Sequence, residues 1–195
     1  DYSLFPRCRT SYLWFSRGCP RTCPYCVVPE KEGEIRSVEP KNLNPRGESI
    51  TVQDNNFFAA PEWRAAIKRL REYGQPVHMM GVDIRLLDEE AAEALNGLRL
   101  LKQIKMAWDD PKEDLTGCFA AVARWLPPRK VMVYVLIGYW STPKEDLWRV
   151  ETLRGLGYDP FVMPYDKHDD YQRRFARWVN HKAIFKSVKW ENYKG

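Results

Sequence analysis

The chain reads as an α/β protein built as a partial (β/α)6 TIM-like barrel, open along one side. Three observations point there. Strand-like and helix-like runs alternate about six times along 195 residues, which implies parallel strands joined by right-handed crossovers. About six such units fit this length better than the eight of a closed barrel. The notable polar residues also fall just after the strand-like runs, at the strand ends where barrels of this type place their chemistry. A doubly wound sheet is the fallback, but no G-x-G-x-x-G follows the first strand.

In order, the aromatic run at 12–15 is the first strand. Residues 27–46, rich in Pro, Glu and Lys, are expected to form an irregular excursion in which Glu30, Lys31, Glu32 and Gly33 either help close a site or form plain surface. A short β-branched strand is expected at 49–53, then a helix over 61–73 with Pro61 in its first turn. The third strand spans 77–80. Asp88 suits the cap of a helix over 89–95 that Asn96 and Gly97 stop. A strand at 101–108, a helix at 113–126 closed by Pro127 and Pro128, and the most strand-like run of all at 131–137 follow. Thr142-Pro143-Lys144-Glu145 opens a helix to Leu156, with Gly157 as its stop. The last strand is expected at 161–164 and the last helix, strongly basic, at 170–188.

Between the first strand and the excursion lies SRGCPRTCPYC, with Cys19, Cys23 and Cys26 spaced C-x3-C-x2-C. Three thiolates within eight residues can converge on one metal centre and cannot easily be spread through a core. Gly18, Pro20 and Pro24 keep the segment out of regular structure, and its free N–H groups can point at sulfur. Structural zinc is the competing reading. It normally takes four ligands in paired units, so Cys8 or a His would have to join. An oxidised disulfide framework suits neither the odd count of five cysteines nor the lack of a secretory signal.

The spacing resembles the signature of the radical S-adenosylmethionine (SAM) superfamily. Tyr25 stands where that family usually carries an aromatic before the last cysteine, and Arg17-Gly18-Cys19-Pro20 looks like the run-up in its methylthiotransferase-like and cobalamin-binding branches. The resemblance implies a [4Fe–4S] cluster held by Cys19, Cys23 and Cys26, with SAM on the fourth iron and Tyr25 near the adenine. It implies a radical SAM enzyme that reductively cleaves SAM to a 5′-deoxyadenosyl radical, which then takes a hydrogen atom from a substrate. An external donor of the flavodoxin or ferredoxin type is implied with it. The alternative is a non-catalytic iron–sulfur or zinc binding module.

Further cofactor contacts are expected at the strand ends: Asp54, Asn55 and Asn56 where the family often has Gly-Gly-Glu, Asp109 after the fourth strand, Gly138 after the fifth, and Met163 and Tyr165 at the sixth. The missing Gly-Gly-Glu, and the missing Glu after Val135-Leu136-Ile137-Gly138, are departures from the family pattern. Asp83 and Arg85, two apart on an extended segment, would share a side. They would face substrate or the SAM carboxylate, or else form a structural ion pair. Cys8 and Cys118 read as structural, His78 as core or solvent-facing, and His181 as a surface residue of the last helix.

The whole of 1–195 is expected to be one radical SAM core, with 1–10 a link like the one that precedes this core in cobalamin-branch proteins and 170–195 a basic C-terminal helix. An N-terminal segment is expected to be missing. The net charge is +5, and the excess of Arg173, Arg174, Arg177, Lys182, Lys186 and Lys189 over acids makes a nucleic acid or nucleotide a candidate partner. A small-molecule or peptide substrate is the other possibility. No run of about 18 apolar residues is present, so no membrane is expected, and reduced cysteines suggest the cytoplasm.

Overall fold

The computed structural model describes residues 1–41 and 43–195; Asn42, within the excursion expected at 27–46, lies outside the described residues. Strand β1 is Thr10–Leu13 and β2 is Ser16–Arg17. Helix α1 is Val28–Glu32, and β3, Arg36–Ser37, pairs antiparallel with β2. The excursion is therefore not wholly irregular. The β2–β3 ribbon straps the cysteine loop at both ends, and Gly18 makes the tight pass possible. At φ +80° it sits where a Cβ would lie 2.1 Å from the Glu34 carbonyl oxygen.

Next come β4 (Ser49–Val52), α2 (Trp63–Tyr73), β5 (Val77–Met79), α3 (Glu89–Asn96) and β6 (Ile104–Ala107). They are followed by α4 (Thr116–Val122), β7 (Val131–Ile137), α5 (Pro143–Gly155), β8 (Asp159–Pro164), α6 (Asp170–Asn180) and α7 (Lys182–Ser187). The caps match the sequence signals. Asp88 accepts from the Ala91 N–H, and Thr142 with Glu145 forms a capping box. Pro61 lies in the turn ahead of α2 instead of in its first turn.

All pairing among the larger strands is parallel, in the orders β1-β4-β5 and β6-β7-β8. Isolated parallel bridges Val77↔Leu100 and Val82↔Met106 connect β5 to β6. Among the described residues no pairing joins β8 back to β1, so the barrel is partial, as the alternation implies.

A parallel sheet covered on both faces reads as continuous apolar strands. Here the strands alternate. Strand β7 is buried at Val131, Val133, Val135 and Ile137 and half-buried at Met132, Tyr134 and Leu136. One face packs under the helices through residues such as Ile67, Leu95, Phe119, Leu153 and Phe175. The other is a concave face left open to solvent.

The last helix breaks in two. Asn180 turns its side chain across to β8, where its amide accepts from the Val162 N–H (2.7 Å) and donates to the Val162 carbonyl (3.0 Å). His181 is exposed, as expected, but it leaves the helical conformation and caps α7, so it is a junction residue and not part of one continuous helix. The basic face is also less free than its composition suggests. Arg173 pairs with Asp170, Lys182 with Asp159, and Arg174 lies over the Trp190 and Tyr193 rings.

The fully buried Asp146–Arg149 pair (2.7 Å) locks the sheet to α5. Arg149 also donates to the carbonyls of Trp108, Asp109 and Leu136 at the ends of β6 and β7. Arg149→Met would leave the buried Asp146 carboxylate without its charge partner, keeping the Tyr171 hydroxyl, and would remove the donor to three carbonyls. It should lower the unfolding free energy by about 3–5 kcal/mol, measured by urea denaturation; a loss below about 1 kcal/mol would contradict this role.

Candidate cluster and cofactor site

Because the strands run parallel, their C-terminal ends gather at one rim. Phe15 follows β1, the 53–56 segment follows β4, Asp83 follows β5, Asp109 follows β6, and Gly138 and Tyr165 follow β7 and β8. The cysteine loop lies across this rim. Three carboxylates from successive strand ends hold three successive points of it. Buried Asp54 accepts from the Phe15 N–H (3.1 Å) and the Ser16 hydroxyl (2.6 Å). Asp83 accepts from Arg21 Nε at 3.0 Å, and Asp109 from the Tyr25 hydroxyl at 3.3 Å. A fourth acid, Glu32 on α1, grips the loop from its far side. It accepts from the Arg17 guanidinium (2.7 Å), the Gly18 N–H (3.0 Å) and the Asn55 amide (2.8 Å).

Asp54 also explains why β1 stops at Leu13, short of the expected 12–15. Its carboxylate takes the Phe15 N–H that a longer ladder would use. The expectation that Asp83 and Arg85 share the side of an extended segment is corrected. Asp83 caps the 3-10 turn Ile84–Leu86, and Arg85 folds back onto it (Nε to Oδ1, 2.7 Å) while also pairing with Glu113. The pair therefore steadies Asp83 for Arg21 instead of presenting a free guanidinium.

Electrostatics follow from this placement. Burial pushes the Asp54 and Asp109 carboxyls up from the ordinary range, although N–H and O–H donors to each oppose the shift. Arg85 and Arg21 hold Asp83 below its usual value, overcoming its burial. Burial is the largest cause lifting the Tyr25 phenol, with the Asp109 charge beside it.

Cys19, Cys23 and Cys26 are free thiols, half-buried at the first two and exposed at the third. Burial raises the Cys23 thiol, and the neighbouring Cys26 and Cys19 add to that rise, so the three share one electrostatic environment. Two N–H donors reach Cys19 sulfur, the Arg21 backbone at 3.5 Å and Asn56 Nδ2 at 3.7 Å. Such donors are the kind that tune a sulfur-bound cluster. Among the described residues no three His, Cys, Asp or Glu side chains are drawn together as a formed metal site. As a donor set the cysteines fit an iron–sulfur cluster, three thiols on one loop with N–H groups at sulfur, and side-chain rotation would have to bring the sulfurs together.

The remaining expected residues sit on the same rim. Asn55 is engaged by Glu32. Asn56 is buried with its Oδ1 unpartnered, beside Cys19 and Asp83. Asp109 bridges Tyr25 and the Leu136 N–H (2.9 Å), tying the loop to β7. Gly138, at φ +77°, passes Gln172 so closely that a Cβ would lie 2.2 Å from that side chain. Tyr165 is exposed and packs edge-on to Tyr139 at 4.9 Å. Met163 is half-buried on the concave face of β8. Sequence reasoning missed Tyr139 and Trp140, which enclose Tyr25 edge-on at 5.8 Å each. Their adjacency after Gly138 was the available signal. It also missed the locking role of Glu32.

No family model matches the chain. Two curated relatives do, both named ribosomal protein uS12 methylthiotransferase RimO, from Francisella tularensis subsp. novicida and Francisella philomiragia subsp. philomiragia. Each is 30% identical over 82 residues, 42% of this chain and 16% of the relative. Among solved structures, the fold matches TsrM, a radical S-adenosylmethionine methyltransferase from Kitasatospora setae bound to tryptophan substrate and the SAM analogue aza-SAM. The TM-score is 0.61 at 15% identity, over 83% of this chain and 37% of that one. The fold is therefore shared with a solved radical S-adenosylmethionine methyltransferase, and the sequence is similar in part to methylthiotransferases. The chain spans about a sixth of the length of the curated relatives it matches, so the similarity concerns a part and not the whole of those proteins.

The raised Asp109 carboxyl gives a pH test. Its folded value lies above the unfolded one, near 3.9. The cost of holding it charged is therefore absent below about pH 4 and complete above the raised value. The stability of the native chain relative to Asp109→Asn, read from urea unfolding between pH 4 and 8, should fall as pH rises and then level off. A flat difference would show that Asp109 titrates normally.

Proposed function

We propose that this chain is the core of a radical SAM enzyme, with Cys19, Cys23 and Cys26 holding three irons of a [4Fe–4S] cluster and SAM bound beside it on the strand-end rim. The observation that carries the reading is the cysteine loop itself, with the required spacing, fixed across the C-terminal ends of a partial barrel by Asp54, Asp83 and Asp109. When bound, that pair of cofactors supplies one-electron chemistry: cleavage of the SAM sulfonium, fed by a flavodoxin- or ferredoxin-type donor, and a carbon radical that takes a hydrogen atom from substrate.

The protein's own residues orient and exclude. Tyr25, Tyr139 and Trp140 form an aromatic wall beside Cys23 that keeps water from one side of the loop and offers faces to an adenine. The unpartnered Asn56 Oδ1 is a buried acceptor next to Cys19 and suits an ammonium donor. Asp109 and Tyr25 share a hydrogen bond that fixes the wall to β6. The Gly138 turn brings backbone groups close to the same space. We include residues 1–195 in this core, with 170–195 its C-terminal cover.

Anaerobic reconstitution with iron and sulfide should give broad absorbance near 400 nm, and dithionite with SAM should then release 5′-deoxyadenosine. Replacing Cys19, Cys23 or Cys26 by Ala should abolish both, whereas Cys118→Ala should leave both intact. Tight zinc uptake without iron–sulfur absorbance would instead favour a binding module.

A further inference from the structure

The concave face carries a cation cluster that the cluster and cofactor site does not use. Register places Tyr12, Thr51 and His78 in one row across β1, β4 and β5. Their neighbours one step along, Trp14, Gln53 and Met80, lie nearer the cysteines. A cavity of about 710 Å³ spans the two rows, and its lining includes Cys19 and Cys26 as well as Thr51, His78 and Lys102, with Lys105 just outside it. A two-residue step along a strand is about 7 Å, so the floor lies within the reach of a small molecule that also touches the rim.

Two lysines and an imidazole lie near one another at the floor, with Lys102 and Lys105 both acting on His78. The Lys105 ammonium lies 3.0 Å from Met132 sulfur and 5.8 Å from the Tyr134 ring centroid, which shields it on the apolar side without neutralising it. Among the described residues, neither Lys102 nor Lys105 has a carboxylate partner within 4.0 Å; the Asp159 carboxylate, on β8, is taken by Lys182 (2.7 Å) and Gln103 (2.6 Å). His78 Nε2 is buried with no partner. Burial lowers both His78 and Lys105, and the surrounding lysines lower them further, the direction expected where a counter-anion belongs. Lys105 and His78 are half-buried and Lys102 lies exposed beside them, so an anion entering here would offset the mutual repulsion of the two lysines.

We infer that Lys102, Lys105 and His78 form a binding subsite for an oxyanion, a carboxylate or a phosphoryl group, of the molecule acted on at the strand-end rim. The inference rests on the proposed radical SAM reading for its second half, since it takes the cysteine end of the cavity as the reacting end. The anion site itself stands on the cation cluster alone. Its substrate class is a small anionic molecule with an apolar or aromatic body, which Tyr12 and Trp14 would flank.

The test needs neither cluster nor SAM. Protein carrying isotope-labelled histidine is titrated with inorganic phosphate and, separately, with acetate at constant ionic strength, following the three imidazoles by NMR. His78 should shift saturably with at least one anion while His168 and His181 move only slightly. Lys102→Gln/Lys105→Gln should weaken the shift at least 10-fold while leaving the circular dichroism spectrum unchanged. Saturation by phosphate alone assigns a phosphoryl group, and by acetate alone a carboxylate. Equal drift of all three histidines, no saturable shift with either anion, or undiminished binding in the folded double variant would overturn the subsite. A protein that forms 5′-deoxyadenosine yet fails this titration loses only the subsite. One that binds phosphate at His78 yet never forms a cluster loses only the enzymatic reading.

Discussion

Everything at the rim depends on carboxylates holding the cysteine loop down. A loop of this length, with two prolines inside the cysteine motif and a glycine just ahead of it, has little reason of its own to adopt one shape. Ordering it costs on the order of 1–2 kcal/mol per residue in backbone entropy. The opposing contribution comes from Asp54, Asp83 and Asp109, which rise from three neighbouring strands and take hold at Ser16, Arg21 and Tyr25. These points bracket Cys19 and Cys23 and leave Cys26 just beyond the last. Hydrogen bonds to charged acceptors are worth about 1.5–3 kcal/mol each, enough for three or four to offset much of the ordering. A buried carboxylate is costly, as the raised Asp54 and Asp109 show. That cost is tolerated because the same groups turn a flexible loop into a fixed donor set.

This changes the meaning of residues that sequence alone assigns to the cofactor. Asp54 and Asp109 sit where SAM contacts are expected, and in the structure their side chains are committed to the loop. Asp83 and Arg85 are committed to Arg21 and to each other. In the proposed enzyme, control over a cofactor would then be indirect: the acids place the thiols and the aromatic wall, and those would make the contacts. Asn56 is the exception, since one face of its amide meets Cys19 and Asp83 while its oxygen remains free.

The order of strands and helices was legible because it rests on local physics: period-2 burial in β7, the capping box at Thr142 and the Asp88 cap all act within a few residues. The cysteine motif was legible because its spacing is local too. What the sequence could not show is long-range pairing. Nothing near Glu32 announces that it will meet Gly18, and nothing near Asn180 announces that its amide will cross to Val162 and break the last helix. The grip of Asp54 on Phe15 spans 39 positions and shortens β1. Partners of that kind become visible only once the sheet has brought them together.

The open concave face ties these threads together. A closed barrel fills its interior with side chains, whereas six strands without closure leave a surface that something must cover. Here that surface is neither an apolar patch awaiting burial nor a solvated polar skin. Its rim is aromatic, with Tyr25, Tyr139 and Trp140, and its floor carries Lys102 and Lys105 beside the His78 imidazole. The lysines add positive charge at the floor, whereas at the rim the Asp83 carboxylate is already paired with Arg21 and Arg85. A molecule with an anionic end would enter that end toward the floor and keep its uncharged end at the cysteines.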